Sequence, residues 1–296
     1  MGFTNTPRGF GPSFVSNQSK RKDAPMPSPN EISISKLSRL IGTPNCPILI
    51  DVSIDEDFNA DPYLIPTAIR HPFDDIAALV PALHRKTAVV ICQKGKKLSQ
   101  GVAAILRGHG IAAENLEGGN YAWRDAGELR IENAAIPRGP QGHSIWVTRH
   151  RPKIDRIACP WLIRRFIDPN AQFLFVSPSE VTGVAERFNA TPFDIENVPF
   201  SHRDDRCSFD AFCDDFNLHS PALNRLATII RGADTNRHDL APECSGLVAA
   251  SLGLSRMYSN DHQQLDAGMT LYDSFYRWAR DATGEKHDWP NAKNKV

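Results

Sequence analysis

The sequence predicts a parallel α/β domain followed by a second, mainly α-helical (α+β) domain. Three observations carry that prediction. Two short apolar runs, Pro47-Ile48-Leu49-Ile50-Asp51-Val52 and Thr87-Ala88-Val89-Val90-Ile91-Cys92, have the composition of strands buried on both faces. Between the second run and a third, Ala113-Glu114-Asn115-Leu116, lies a helical pattern from Ser99 to His109. Beyond residue 145 the spacing changes, and i, i+3/i+4 apolar repeats dominate.

Each element follows from local chemistry. In the helix after the second strand, Val102, Ile105 and Leu106 fall on one face, and Gly110 is a natural stop. Strand–helix–strand order implies parallel pairing. The stretch 136–145, rich in Pro and Gly, marks a domain boundary. After it, Ser144-Ile145-Trp146-Val147-Thr148 and Gln172-Phe173-Leu174-Phe175-Val176 read as strands. Cys159–Ile167, Pro178–Phe188, Phe209–Phe216, Pro221–Arg231, Glu243–Leu252 and Asp261–Ala282 read as helices, with Asp261 a cap for the last. Residues 1–30 hold five prolines, few large apolar residues and the basic triplet Lys20-Arg21-Lys22, so they are expected to form a flexible leader. The folded domains are expected at 31–135 and 145–284.

Composition narrows the function. The 296 residues include 34 basic and 34 acidic side chains, a balance that gives no support to nucleic-acid binding. No apolar run reaches the roughly 18 residues of a membrane span, and no signal-peptide core opens the chain, so a cytoplasmic location is expected. In a reducing compartment the six cysteines are expected as free thiols, ligands or nucleophiles. Cys46, Cys213 and Cys244 read as core residues.

Cys92 is different. It ends an apolar strand and opens the loop Gln93-Lys94-Gly95-Lys96-Lys97, which feeds a helix. Ligands of open α/β sheets bind at the carboxyl ends of strands. A loop entering a helix N-terminus aims several backbone N–H groups at one point, which binds anions and stabilises a thiolate. Lys94, Lys96 and Lys97 add positive potential.

This loop resembles the active loop of the rhodanese (sulfurtransferase) family, a cysteine opening a six-residue anion cradle. Three other landmarks are similar: Leu49-Ile50-Asp51-Val52 followed by Asp55-Glu56-Asp57-Phe58, the small-residue turn Ile65-Pro66-Thr67-Ala68, and Leu116-Glu117-Gly118-Gly119-Asn120-Tyr121-Ala122-Trp123. The resemblance implies persulfide chemistry at Cys92, a small sulfur donor or oxyanion as ligand, a thiol as acceptor, and no cofactor. Ser53 stands where the family often has arginine, and Lys97 where the loop commonly closes with arginine or threonine, so thiosulfate is not fixed as the donor.

The second half concentrates charge. Six Arg or Lys side chains fall in the 17 residues from Arg149. On a helix starting near Asp155, Asp155 and Cys159 share a face, while Arg149 and Arg156 flank the turn into it. His202-Arg203-Asp204-Asp205-Arg206-Cys207, Arg231-Gly232-Ala233-Asp234 and Asp261-His262 are further polar clusters. Arg149, Asp155, Arg156, Cys159, His202 and Asp234 are the candidates for a second site, either for an oxyanion or for a metal. No close ligand spacing decides between them.

Trp146-Val-Thr-Arg, Arg156-Ile-Ala-Cys-Pro-Trp-Leu-Ile-Arg-Arg-Phe, Phe193-Asp194-Ile195, Cys207-Ser208-Phe209, Ile230-Arg-Gly-Ala-Asp and Leu271-Tyr-Asp resemble the ChrB-type chromate resistance C-terminal domain. That resemblance implies a role in chromate or oxidative-stress resistance, with Arg149, Arg156 and His202 in anion sensing. Two readings fit the whole chain. One is an enzyme using Cys92; the other is a chromate, metal or redox sensor that keeps the rhodanese-like domain as a binding module.

Overall fold

The apolar runs that lack alternation become the centre of the first sheet, where both faces are covered. The computed structural model describes residues 1–2 and 30–285. Most of the expected leader lies outside the described residues. The N-terminal elements are β1 (Glu31–Ile32), α1 (Ile34–Leu40), β2 (Ile48–Asp51), α2 (Asp55–Asn59), β3 (Tyr63–Leu64), β4 (Ile69–Arg70), β5 (Thr87–Ile91), α3 (Lys97–Gly108), β6 (Ala112–Leu116), α4 (Gly119–Asp125) and β7 (Ile131–Glu132). The sheet order is β1-β6-β5-β2-β4, and every pairing is parallel. β5 and β2 are central, so Leu49, Ile50, Val90 and Ile91 have no exposed surface. Strands β3 and β7 form a small antiparallel pair beside it.

The second domain contains β8 (Ile145–Arg149), α5 (Asp155–Leu162), β9 (Gln172–Val176), α6 (Val181–Phe188), β10 (Thr191–Pro192), α7 (Ser208–Asp215), α8 (Pro221–Asp234), α9 (Cys244–Met257) and α10 (Asp261–Asp281). Its sheet has the order β10-β8-β9, again parallel. Helix α10 packs on α5 and α8. At Gly268 it lies so close to Ile157 of α5 that a Cβ would collide with the Ile157 side chain.

Several boundaries differ from expectation: α8 runs past Arg231 to Asp234 and α9 past Leu252 to Met257, and two further differences have a local cause. Helix α5 begins at Asp155 and ends at Leu162 instead of running to Ile167. Pro160 lies inside it and removes a backbone donor, and residues Ile163–Ile167 widen into a π-turn. The cap of α10 is Asn260, not Asp261: the Asn260 Oδ1 accepts from His262 N–H and Gln263 N–H, each at 3.0 Å. Asp261 is the first helical residue and accepts from the Arg151 N–H at 3.0 Å.

One apolar core runs through both domains, from Leu37, Ile41, Leu49 and Trp123 to Trp161, Phe166 and Tyr276. The Thr67 N–H donates to the Phe166 carbonyl at 3.0 Å. Gly42, at φ +77°, lies against the rings of Phe166 and Tyr276, where a Cβ would stand 2.8 Å from Tyr276 and closer still to Phe166. Cys46 lines this junction, half-buried, and burial pushes its thiol up to about 11. Cys213 and Cys244 are buried. Among the described residues, no helix is long and apolar enough to cross a membrane.

Gly42→Ala is expected to lower unfolding free energy by about 1–3 kcal/mol, because both its φ and its space are taken. Gly101→Ala, in α3 with nothing near it, should instead gain about 0.5–1 kcal/mol. Urea denaturation of the two variants checks the contrast.

Candidate functional site

The Cys92 loop is held by backbone too close for side chains. Gly95 and Gly119 both take positive φ, +63° and +62°. A Cβ on Gly95 would strike Leu116 O and stand 2.6 Å from Gly119 N; one on Gly119 would strike Cys92 O and Gly95 N. Only glycine fits at either place. The turn before α4 then locks onto the loop: Asn120 N–H donates to Cys92 O at 3.1 Å, and Tyr121 N–H to Gln93 O at 3.0 Å.

Asp51 ties the loops together. It is 1% exposed. Its Oδ1 accepts from Ser53 N–H at 2.8 Å, and its Oδ2 from the Asn120 amide at 2.7 Å. The end of β2 thereby fixes the residue that grips Cys92.

Cys92 itself is buried, and its thiol donates to Ser99 Oγ at 3.2 Å. The Ser99 hydroxyl in turn donates to Lys96 O at 3.1 Å. The first helical bond of α3 in this region runs from Gln100 N–H to Lys96 O, so the N–H groups of Lys97, Leu98 and Ser99 precede the helical ladder. Lys94, Lys96 and Lys97 are all exposed, while Gln93 is half-buried. Their charge therefore acts through solvent and is screened by salt.

The second cluster forms where α5, the segment after β10, the loop before α7 and the end of α8 meet. His202 Nε2 is its hub: it lies 3.1 Å from Asp234 Oδ2, 3.6 Å from Asp194 Oδ1 and 3.7 Å from Asp155 Oδ2. Asp155 has no exposed surface, whereas the His202 side chain is 43% exposed. Asp155 Oδ2 accepts from Ser208 N–H at 2.6 Å, and Asp194 Oδ1 from Ser208 Oγ at 2.8 Å. Asp155 Oδ1 is buried with no hydrogen-bond partner. Arg149 and Arg156 both reach Asp194 Oδ2, at 3.1 and 3.2 Å.

Electrostatics follow from that packing. Burial, together with the charges of Asp234 and Asp194, pushes the Asp155 carboxyl well above the usual carboxylate range. The hydrogen bond to Asp234 raises His202. Burial beside these carboxylates holds the Cys159 and Cys207 thiols far up, so both stay protonated. Backbone strain lies alongside: Ile154, which precedes Asp155, has φ +40° and ψ −100°, and Asp194 has φ +52°.

Residues 33–126 match the rhodanese-like domain, and residues 146–279 match the ChrB C-terminal domain. The chain joins a rhodanese-like domain to a ChrB C-terminal domain. The protein ChrB of Cupriavidus metallidurans is 37% identical over 132 residues, which are 44% of this chain and 39% of that protein. A rhodanese-like domain protein from Staphylococcus aureus is 27% identical, covering 32% of this chain and 90% of its own, with a TM-score of 0.29. A rhodanese-related protein from Thermoplasma volcanium is 21% identical, covering 35% of this chain and 99% of its own, with a TM-score of 0.31.

The geometry sorts the candidate residues. In the rhodanese-like domain, Cys92 and Gln93 through Lys97 form one loop between β5 and α3. In the ChrB C-terminal domain, Asp155, His202 and Asp234 converge on one point. Arg149 and Arg156 adjoin it through Asp194, so their charge is engaged inside the cluster. Cys159 lies one turn along α5 with a buried thiol. Sequence reasoning missed Asp194 and Ser208 as members. Both lie between apolar residues, in Phe193-Asp194-Ile195 and Cys207-Ser208-Phe209, where no polar pattern marks them.

Asp51→Ala leaves the buried Ser53 N–H without its acceptor and takes from the Asn120 amide its 2.7 Å partner. It is expected to lower stability by about 1.5–3 kcal/mol and to release Asn120 from the loop. Urea unfolding gives the first effect; faster amide exchange at Asn120 and Tyr121 reports the second.

Proposed function

We propose that Cys92 carries sulfane sulfur as a persulfide and that the protein serves resistance to chromate or oxidative stress. The observation that supports the chemistry best is the Cys92 thiol bonded to Ser99 in the first turn of α3, inside a loop clamped by Gly95 and Gly119. In the first step the Cys92 thiolate attacks the outer sulfur of a donor such as thiosulfate. A new S–S bond forms, the donor's S–S bond breaks, and sulfite leaves with the electron pair. An acceptor thiolate then attacks the outer sulfur of the Cys92 persulfide, takes it, and returns the Cys92 thiolate. No external oxidant is needed.

The chain's own groups have defined parts. The N–H groups of Lys97, Leu98 and Ser99 stand at a helix N-terminus and stabilise the anionic sulfur. Ser99 can turn its hydroxyl proton from Lys96 O toward the sulfur once the thiol proton has left. The exposed lysines draw an anionic donor to the loop. The biological assignment rests on the ChrB C-terminal domain and on its likeness to the C. metallidurans protein.

Cys92→Ser is expected to lower sulfur transfer from thiosulfate, or from a polysulfide, by at least about 100-fold. Ser99→Ala should lower it roughly fivefold, the worth of one hydrogen bond near ~1 kcal/mol. Intact-protein mass spectrometry should show one added sulfur atom on wild type and none on Cys92→Ser. Equal labelling of both sinks the catalytic reading. In a chromate-sensitive bacterial strain, the full chain should raise tolerance and Cys92→Ser should lose the gain. If that variant protects fully, the rhodanese-like domain acts there as a binding module.

A further inference from the structure

Two carboxylates and an imidazole share one small volume in the second domain, with a third carboxylate at its edge. One ligand atom from each of Asp155, Asp194 and His202 lies within 4.8 Å of the others. Asp234 lies beside that group, 3.1 Å from His202 Nε2. A nitrogen can give its single proton to one acceptor only, yet His202 Nε2 faces three carboxylate oxygens. Ser208 serves Asp155 Oδ2 and Asp194 Oδ1, and the two arginines serve Asp194 Oδ2. Asp155 Oδ1 remains buried and without a donor. Leaving a buried carboxylate oxygen unpaired is costly, and such groups are retained where a ligand satisfies them.

We propose that Asp155, Asp194 and His202 bind a divalent first-row transition-metal ion, with Asp234 beside the imidazole. With metal–ligand bonds of about 2.1 Å, neighbouring donor atoms on one ion stand roughly 3–4 Å apart. The separations of Asp194 Oδ1 and Asp155 Oδ2 from His202 Nε2, 3.6 and 3.7 Å, fall in that range. Two carboxylates and one imidazole nitrogen suit Mn²⁺, Fe²⁺ or Zn²⁺ better than Ca²⁺ and Mg²⁺, which take all-oxygen shells. The thiols of Cys159 and Cys207 stay outside the donor set. Arg149 and Arg156 hold Asp194 Oδ2 and so turn Oδ1 toward the shared point, the task of a positioning residue around a metal. The half-exposed His202 is the door through which the ion enters. An oxyanion does not suit this place, because the carboxylates outnumber the arginines.

The test uses the untagged full chain, stripped with a chelator and dialysed against Mn²⁺ or Zn²⁺, with bound metal read by elemental analysis. One ion per chain is expected, and Mg²⁺ in equal amount should not displace it. His202→Ala and Asp155→Asn should each weaken binding at least about tenfold. His202 is partly exposed, so its variant keeps the fold even if Asp155→Asn does not, and circular dichroism checks this. Nitrogen coupling to Mn²⁺ in pulsed electron paramagnetic resonance should be present in wild type and absent in His202→Ala. Cys92→Ser should bind as wild type does. Absence of stoichiometric metal, equal binding by His202→Ala, or loss on replacing cysteines alone overturns the proposal. Because the readout is metal content, its failure leaves sulfur transfer at Cys92 unaffected.

Discussion

The junction built on Phe166 decides how the two halves of this chain are held. Its ring lies against Gly42, its carbonyl accepts from Thr67, and it packs on Trp161 and Tyr276 with ring centroids 5.8 and 5.5 Å away. Trp161 is anchored in turn: its Nε1 donates to Asp273 at 2.8 Å, and Arg165 grips the same carboxylate with two bonds of 2.8 Å. The end of α5 is therefore fixed from both domains. Its beginning carries Asp155, and the position of that carboxylate is inherited from aromatic packing two turns away.

The two candidate sites use opposite electrostatic strategies. Around Cys92 the fixed groups are backbone dipoles, and the full charges stay in solvent on Lys94, Lys96 and Lys97. Dipoles aimed by a rigid loop need no reorganisation when charge appears on sulfur. Around His202 two carboxyls, Asp155 and Asp194, are themselves buried, and their repulsion is partly relieved by Ser208, Arg149 and Arg156. A loop of that kind suits a transient anion. A buried acidic group of that kind suits a lasting cation.

Much of the first domain was legible because its signals are local. β2 and β5 are apolar without alternation, and the Cys92 loop is contiguous in sequence. The two-residue strands β1, β3, β4, β7 and β10 were not legible, since so short a strand shows no period. The end of α5 was misplaced because its apolar spacing continues through Ile167 while Pro160 breaks the backbone ladder. The cap of α10 was misassigned by one residue, because Asn260 and Asp261 are both good caps and only backbone angles choose between them. The second cluster draws on segments 47 residues apart between Asp155 and His202 and 32 apart between His202 and Asp234. Convergence over such distances is set by tertiary packing, and no sequence spacing announces it. Asp194 shows this most plainly, an acidic residue between Phe193 and Ile195 whose left-handed backbone turns it inward.

The shared core has a consequence for how the molecule comes apart. The Pro- and Gly-rich stretch at 136–145 looks like a hinge between two independent modules. Yet Ile41, Trp123 and Leu129 on one side pack into the same core as Phe166 and Tyr276 on the other. Severing the chain there would uncover aromatic surface on both pieces. A core shared in this way ties the opening of one domain to that of the other.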